Sequence, residues 1–339
     1  MVCIKIEYIN EVVRKSGPLI NVTHREDLDK NKNLNLTSYH KEVSNNESLF
    51  KETQKNNKFN KIDAFLKENK IEEFGCANFE HHQKVDEGGS SIIYSAKFQG
   101  QKYALKSLDL NFNIEWDNKK VKGFLNELRI SCSISHPNII KFYGVTKDPK
   151  TDNFNFVMQF ANNGNLRKFL QRKWSRNVFK ILLEEVIQIA QGITRGINCL
   201  HENGIIHRDL HSKNILINDG KPLIADFGIS KDKRTDDDDD DDNSPKNSYL
   251  TGMGMTAYID PQCFNQEKDK RDERSDIYSL GVLLWELTSG TPPFSGFYEN
   301  YAIVIKIFNG GREEMIPGTP QGYADIYKNC WSSDPEKRP

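Results

Sequence analysis

The sequence predicts an α+β domain that combines short strands with at least one long helix. Residues 102–108 alternate between apolar and polar side chains, the period of two that is typical of a strand. Within residues 214–225, two apolar stretches flank Asn218-Asp219-Gly220-Lys221, and Asp-Gly supports the positive φ angles of a tight hairpin turn. Residues 181–202 carry apolar side chains at helical spacing, and Gly204 favours a helix end there.

Length and composition narrow the class of protein. The chain has 339 residues, enough for a two-lobed domain with an appendage, and its 47 Lys+Arg nearly balance its 48 Asp+Glu. We therefore expect neither a nucleic-acid partner nor an anionic membrane partner. Six cysteines without a C-x-x-C pair are typical of reduced thiols, and no apolar run suits a signal peptide or a membrane helix. These features favour a cytoplasmic protein, with a nuclear location left open.

The first part of the chain differs in composition from the rest. It is rich in Asn, Lys, Glu and Ser and poor in aromatic residues, so it buries too little apolar surface to offset the entropy of ordering. We predict that residues 1–72 form a mostly disordered extension, with room for a short helix near 61–70. A low-complexity extension and a docking or regulatory arm both remain open.

Two acids 17 residues apart flank the predicted hairpin. Asp209 and Asn214 lie in the loop that enters it, and Asp226 follows it directly. The hairpin therefore brings two carboxylates and a carboxamide towards one place. Oxygen donors of this kind are typical ligands of a hard metal cation, and a purely structural loop has no need to bring them together.

This stretch resembles the eukaryotic protein kinases. His207-Arg208-Asp209-Leu210, with Asn214 and then Asp226-Phe227-Gly228, matches an ordered signature of that family. The resemblance implies a bilobal protein kinase fold, with a small β-rich N-lobe that carries one main helix and a larger helical C-lobe. It implies that Asp209 accepts the substrate hydroxyl proton or orients that hydroxyl. Asn214 and Asp226 would hold Mg²⁺ against the phosphates of ATP.

The N-lobe supplies further parts of the resemblance. Lys106 stands where the family carries the lysine that contacts the α- and β-phosphates, and Glu127 stands where its helical partner is expected. In the glycine-rich loop only Gly88 keeps the family pattern, since Asp86 and Ser91 replace the first and third glycines. We expect the Asp86 carboxylate to repel the nucleotide and to weaken its binding.

The resemblance also outlines an adenine pocket. Met158 would lie at the back of the pocket, and the backbone from Gln159 to Ala161 would hydrogen-bond the adenine base. Apolar side chains would pack on both faces of the base, although each of those side chains could equally belong to the ordinary core. The predicted nucleotide-binding residues are Val85, Gly88, Gly89, Ile93, Ala104, Lys106, Met158, Gln159, Phe160, Ala161 and Leu216.

The resemblance spans residues 75–339 and divides them into parts. These are an N-lobe at about 75–158, a hinge at 159–163, a C-lobe at 164–339 that ends before the family's last helix, and an activation segment at 226–262 with an acidic insertion at 236–242. Seven consecutive aspartates repel one another and favour an extended, solvated run. The run is either a low-complexity insertion or a substitute for an activating phosphate that pairs with Arg208.

Two further residues depart from the family pattern. Ser131 stands where an aliphatic side chain usually packs on Phe227, a loss of burial on the order of 1.5–3 kcal/mol that predicts a less stable active state. Gln262 replaces the glutamate whose family partner would be Arg338. We expect a neutral–charged hydrogen bond there in place of an ion pair.

The predicted function is phosphoryl transfer from ATP to hydroxyls of protein substrates. The resemblance assigns catalytic roles to Lys106, Glu127, Asp209 and Lys213. His136-Pro137-Asn138-Ile139-Ile140 is similar to the tyrosine-kinase-like group, whose members mostly phosphorylate Ser or Thr. We favour Ser/Thr substrates, with Tyr or dual specificity left open and the upstream activator unknown. A pseudokinase scaffold and an adaptor with an acidic binding loop are the alternatives.

Overall fold

The computed structural model describes residues 60–87, 91–108, 117–150, 153–234, 255–264 and 271–339. Gly88, Gly89, the acidic insertion at 236–242 and the predicted extension up to residue 59 lie outside these ranges. All described residues belong to one compact unit, Lys55–Pro339.

The N-lobe consists of a six-stranded sheet and one main helix. Its elements are helix α1 (60–68), β1 (Glu73–Phe74), β2 (Glu80–Glu87), β3 (Ser91–Phe98), β4 (Gln101–Leu108), α2 (Asp117–Ser133), β5 (Phe142–Lys147) and β6 (Phe154–Gln159). The strand order in the sheet is β1-β5-β6-β4-β3-β2. The strand predicted at 102–108 is therefore β4, a central strand of this sheet.

Strand register places three residues of β2, β3 and β4 in one row. Asp86 pairs with Ile93, and Ile93 pairs with Lys106. Residues directly opposite one another in an antiparallel pair point to the same face of the sheet. Asp86 and Lys106 therefore share the face that looks into the cleft, about 10 Å apart along the row.

Helix α2 is fixed to the sheet by its buried face. Phe124 and Leu128 are almost fully buried, and the Phe124 ring stacks on Phe156 of β6 with ring centroids 4.8 Å apart. Because Glu127 lies between these two anchors, its side chain points towards the sheet and is itself buried. Packing of apolar neighbours thus sets the position of a charged residue.

The C-lobe is mainly helical. Its elements are α3 (Leu166–Gln171), β7 (Trp174–Ser175), β8 (Val178–Phe179), α4 (Leu183–Glu202), β9 (Ile205–Ile206), β10 (Ile215–Asn218), β11 (Lys221–Ile224), β12 (Lys231–Asp232), α5 (Glu273–Ser289), α6 (Asn300–Phe308) and α7 (Gln321–Cys330). The predicted two-lobed α+β architecture is confirmed. Of the helices that the structure describes, none has both the length and the apolar character needed to span a bilayer.

The predicted hairpin is formed by β10 and β11. Ile215 pairs with Ile224, and the turn residues Asp219 and Gly220 have φ angles of 49° and 73°. Two successive positive φ angles are the geometry that two-residue hairpins prefer, and Asp-Gly tolerates it. The hairpin connects the two loops that carry the predicted catalytic and metal-binding residues.

Helix α1 covers the short helix that the sequence allowed near 61–70, and it belongs to the core, so the mostly disordered extension predicted for residues 1–72 does not include it. Ile62 and Leu66 are 1% exposed and join the main hydrophobic cluster, and the Arg129 guanidinium of α2 lies 5.9 Å from the Phe65 ring centroid. The apolar residues of α1 span only a few positions within a polar stretch of the sequence. Composition therefore did not indicate that this helix packs in the core near α2.

Truncating the apolar face of α1 should destabilise the domain. We expect Leu66→Ala to lower the free energy of unfolding by about 2–5 kcal/mol, because a fully buried side chain is lost and a cavity remains. Denaturant unfolding measures the difference. The matched control is Lys67→Ala at an exposed neighbour, with an expected change within about 0.5 kcal/mol. Equal effects of the two variants would contradict the inclusion of α1 in the core.

Candidate functional site

A buried cluster of one amine and two carboxylates joins three elements of the fold. The Lys106 Nζ of β4 donates to Glu127 Oε1 of α2 at 2.6 Å and to Asp226 Oδ1 at 2.9 Å. The Lys106 and Glu127 side chains are only 8% and 3% exposed, while Asp226 is 43% exposed at the cleft surface. Three of the predicted site residues are thus in direct contact.

The charges in this cluster stabilise one another. Burial disfavours the Lys106 ammonium, but the Asp226 and Glu127 carboxylates outweigh it and raise the pKa of Lys106 above its usual value. Burial likewise disfavours the Asp226 carboxylate, but Lys106 outweighs it and lowers the pKa of Asp226. Lys106 is therefore a fixed cation at neutral pH, and Asp226 is a fixed anion.

The loop after β9 holds the next group. Asn214 Nδ2 donates to the backbone oxygen of Asp209 at 2.9 Å and to its Oδ2 at 3.1 Å. Burial is the larger cause, and the nearby Asp226 carboxylate the next, of a rise in the pKa of Asp209 to about 7. A carboxylate with a pKa near neutrality suits a group that accepts a proton from a hydroxyl.

Asp276 of α5 fixes the backbone of this loop from below. Its Oδ2 accepts the backbone N–H of His207 at 2.8 Å, and its Oδ1 accepts that of Arg208 at 2.9 Å. Arg208 and Asp226 both have left-handed φ angles, 68° and 70°, which are uncommon outside glycine. Such strained residues persist only where the surroundings hold them, and they cluster at functional sites.

These groups line one cavity of about 1040 Å³. It is bounded by every predicted nucleotide-binding residue within the described ranges, namely Val85, Ile93, Ala104, Lys106, Met158, Gln159, Phe160, Ala161 and Leu216. Asp209, Asn214, Asp226, Glu127 and Lys213 also line it. Within the part of the chain that the structure describes, the backbone N–H of Ala161 donates to no acceptor, so it can bind a ligand. Gly88 and Gly89 lie outside the described residues.

Lys213 reaches the cavity as an exposed side chain without a hydrogen bond or ion pair to any described residue. Its neighbour His211 is buried, and the Nε2 atom of His211 lies 3.6 Å from Asp209 Oδ1. His211 Nδ1 accepts the backbone N–H of Asn214 at 3.2 Å, which leaves the proton on Nε2, facing Asp209. Burial lowers the pKa of His211 to about 3, so the ring is neutral at physiological pH.

The expected contact between Gln262 and Arg338 is wrong. Arg338 donates instead to both carboxylate oxygens of Asp260, at 2.5 and 2.9 Å, and these two side chains are 0% and 2% exposed. Gln262 donates to the backbone oxygen of Ser333 at 3.1 Å. A bidentate ion pair is therefore present, with its carboxylate two residues earlier than the family pattern suggests. Asp260, two residues before Gln262, was the sequence feature that could have indicated this ion pair.

Two other supports of the site escaped sequence reasoning. Asn126 of α2 donates to the backbone oxygens of Phe227 at 3.3 Å and Ser230 at 2.7 Å, which ties the helix to the segment after Asp226. Behind the catalytic loop, a buried network connects four side chains from four segments, namely Arg167, Ser212, Tyr258 and Glu286. These contacts join residues 28 to 104 positions apart, so no local pattern predicts them.

Asp86 has contacts that the sequence did not predict. Its Oδ2 lies 2.9 Å from the Nζ of Lys168, and the Nδ2 of Asn165 is 3.4 Å from the same oxygen. The carboxylate is therefore paired, in a contact between the sheet and α3. Repulsion of the nucleotide was predicted for an unpaired Asp86 carboxylate, and the ion pair with Lys168 changes that premise.

Comparison with known proteins agrees with this geometry. Residues 79–339 match the family model described as protein tyrosine and serine/threonine kinase. The chain is 29% identical over 258 residues to the serine/threonine/tyrosine-protein kinase HT1 of Arabidopsis thaliana, an alignment covering 76% of this chain and 62% of that protein. It is 30% identical over 272 residues to a probable serine/threonine-protein kinase of Dictyostelium discoideum, covering 76% of this chain and 11% of that protein. The chain thus spans less than two thirds of these relatives.

Removing the charge of Asp260 should cost more stability than changing Gln262. We expect Asp260→Asn to lower the free energy of unfolding by about 3–5 kcal/mol, because the buried Arg338 charge loses its partner. Gln262→Ala removes one partly exposed hydrogen bond and should cost about 1 kcal/mol or less. Thermal unfolding of both variants measures the contrast. The reverse order would show that Gln262 is the important partner.

Ser131 offers a second test. Its Oγ is buried and has no hydrogen-bond partner among the described residues. We expect Ser131→Leu to raise catalytic rate by restoring the aliphatic contact that the family resemblance places there. Ser131→Ala is the matched control, because it removes the buried hydroxyl without adding that contact. It should stabilise the fold by about 1 kcal/mol without the gain in rate. An unchanged rate in Ser131→Leu would contradict the argument.

Proposed function

The chain belongs to the protein tyrosine and serine/threonine kinase family, and from this premise we propose that it phosphorylates Ser or Thr hydroxyls of protein substrates, using ATP and Mg²⁺. One observation carries the proposal. Lys106, Glu127 and Asp226 form a buried charge cluster at the cavity that Asp209 and Asn214 also line. Each group needed for phosphoryl transfer is therefore present at one site.

The donor set fits a divalent cation. Asn214 donates through Nδ2, which leaves its Oδ1 for a cation, and the Asp226 carboxylate lines the same cavity, so both side chains can supply ligand oxygens. After burial, the Asp226 carboxylate is the next cause that raises the pKa of Asp209, so a cation between the two carboxylates would relieve their repulsion. A bound Mg²⁺ would neutralise charge on the phosphates of ATP. Among the described residues, no group of three or more His, Cys, Asp or Glu side chains could hold a metal ion by itself, so ATP phosphates and water would complete the ligand set.

The chain's own groups bind and orient the reactants. Glu127 holds the Lys106 ammonium at the cavity wall, where it can contact phosphate oxygens, and the Ala161 N–H can bind the base. Asp209 accepts or orients the proton of the substrate hydroxyl. The hydroxyl oxygen forms a bond to the γ-phosphorus as the bond to the ADP oxygen breaks. Catalysis here consists of positioning and charge neutralisation.

The substrate class follows from the relatives and from the residues around Ser212. The Dictyostelium relative is named for Ser/Thr and the Arabidopsis relative for Ser, Thr and Tyr. His211 places a neutral ring on one side of Ser212, and Lys213 places an exposed cation on the other. Ser/Thr is the first candidate, and Tyr or dual specificity is the second.

A catalytically weak scaffold is the alternative function. Its support is narrower than the sequence suggested, because Asp260 replaces Gln262 as the partner of Arg338 and Lys168 pairs with Asp86. Two substitutions in the family pattern still support it, Ser91 in place of a glycine and Ser131 in place of an aliphatic residue. These two positions leave the charged groups of the site unchanged.

Radiolabel transfer from γ-labelled ATP to a mixed protein substrate tests the activity. We expect Asp209→Asn to reduce the rate by on the order of 10³-fold, because the amide cannot accept the hydroxyl proton. Removing divalent cations with EDTA should abolish transfer, and added Mg²⁺ should restore it. Equal transfer by wild type and Asp209→Asn would favour the scaffold. Phosphoamino-acid analysis of the product separates Ser/Thr from Tyr substrates.

A further inference from the structure

The Asp86 carboxylate connects the two lobes at the edge of the cavity. Asp86 lies near the end of β2, while Lys168 and Asn165 belong to the first turn of α3 in the C-lobe. The contacts of Asp86 Oδ2 to Lys168 Nζ at 2.9 Å and to Asn165 Nδ2 at 3.4 Å cross the cleft. All three residues line the same cavity as Lys106 and Asp226.

The C-lobe half of this contact is held in place by its own hydrogen bonds. Asn165 is the N-cap of α3, and its Oδ1 accepts the backbone N–H of Lys168 at 2.9 Å. Behind it, Leu166, Phe169 and Leu170 are buried in the main core. Asn165 thus fixes the start of α3 with one side-chain atom and donates to Asp86 with the other.

The N-lobe half is placed by strand register. Asp86 shares a row with Ile93 and Lys106, so its side chain lies on the cleft face of the sheet. Asp86 Oδ1 accepts the backbone N–H of Glu87 at 3.1 Å, which leaves Oδ2 directed to Lys168 and Asn165. An ion pair here restricts how far the end of β2 can move away from α3.

We propose that Lys168 and Asn165 are positioning residues that hold the Asp86 end of β2 closed over the nucleotide, so that nucleotide residence time depends on this ion pair. The proposal rests on the proposed function, because it requires a nucleotide in the cavity. Asp86 then acts as a closing contact instead of a repelling charge.

The solvent exposure of the ion pair sets the size of the expected change in the nucleotide dissociation rate. The Lys168 and Asp86 side chains are 46% and 43% exposed, so the pair is partly screened by solvent and by salt. We expect loss of either charge to increase the dissociation rate constant of the nucleotide by about two- to fivefold. Added salt should increase the wild-type rate and should have little effect on the variants.

Stopped-flow displacement measures this rate constant on the full chain. An ATP analogue with a fluorophore on its γ-phosphate is bound with Mg²⁺ and is displaced by excess ADP. We expect Asp86→Asn and Lys168→Met each to accelerate release, and the double variant to be no faster than either single variant. Lys168→Arg and the charge exchange Asp86→Lys with Lys168→Asp should restore slow release. A merely structural role would not produce this pattern of rescue.

Lys84→Met is the matched control. It removes one positive charge from the same strand, but Lys84 pairs with Glu87 at 2.5 Å within β2 and does not cross the cleft. Its release rate should equal that of wild type. Opposite effects of Asp86→Asn and Lys168→Met would identify Asp86 as a repelling charge and overturn the proposal. If the variants release nucleotide at the wild-type rate and still transfer phosphate, the proposal about the Asp86 contact is overturned and the proposed function is not. A wild type that binds no nucleotide would overturn both.

Discussion

The contact of Lys106 with Glu127 and Asp226 is the interaction on which the site depends. It joins the central strand of the sheet, helix α2 and the residue after the hairpin, and it is formed in a largely buried place. An isolated charge there would be costly, so each member needs the others. The position of α2 and the position of Asp226 are therefore coupled. A change that displaces the helix would also displace a predicted metal ligand, and the converse holds.

Several weaker contacts support this cluster from different sides. Asn126 ties α2 to the backbone of Phe227 and Ser230, and Asp276 holds the backbone of His207 and Arg208. The C-lobe adds a buried network around Ser212, next to the catalytic loop. Buried polar groups of this kind are stabilising only when they are fully partnered, which makes their arrangement specific. The fold thus places its reactive groups by polar contacts and its elements by apolar packing.

Departures from a family pattern gain meaning only beside their neighbours. Gln262 suggested a lost ion pair, yet Asp260 supplies the carboxylate to Arg338 from two residues away. Asp86 suggested repulsion of the nucleotide, yet Lys168 pairs with it from the other lobe. The interpretation of Ser131 stays a prediction, and its buried hydroxyl has no partner among the described residues. A single substitution is therefore a weak sign of lost activity until its surroundings are known.

The sequence by itself determined the α+β class, the hairpin at Asp219-Gly220 and the long helix before Gly204. It also supplied the candidate site residues, and those within the described ranges all line the cavity. These features are local, since strand alternation, turn chemistry, helical spacing and an ordered motif all act within short stretches. Only the tertiary structure decided the partners of Asp86, Asp260 and Asn126, and the inclusion of Ile62 and Leu66 in the core. Their partners lie far away in the chain, and distance in sequence carries no information about which charges and apolar faces meet once the lobes have packed.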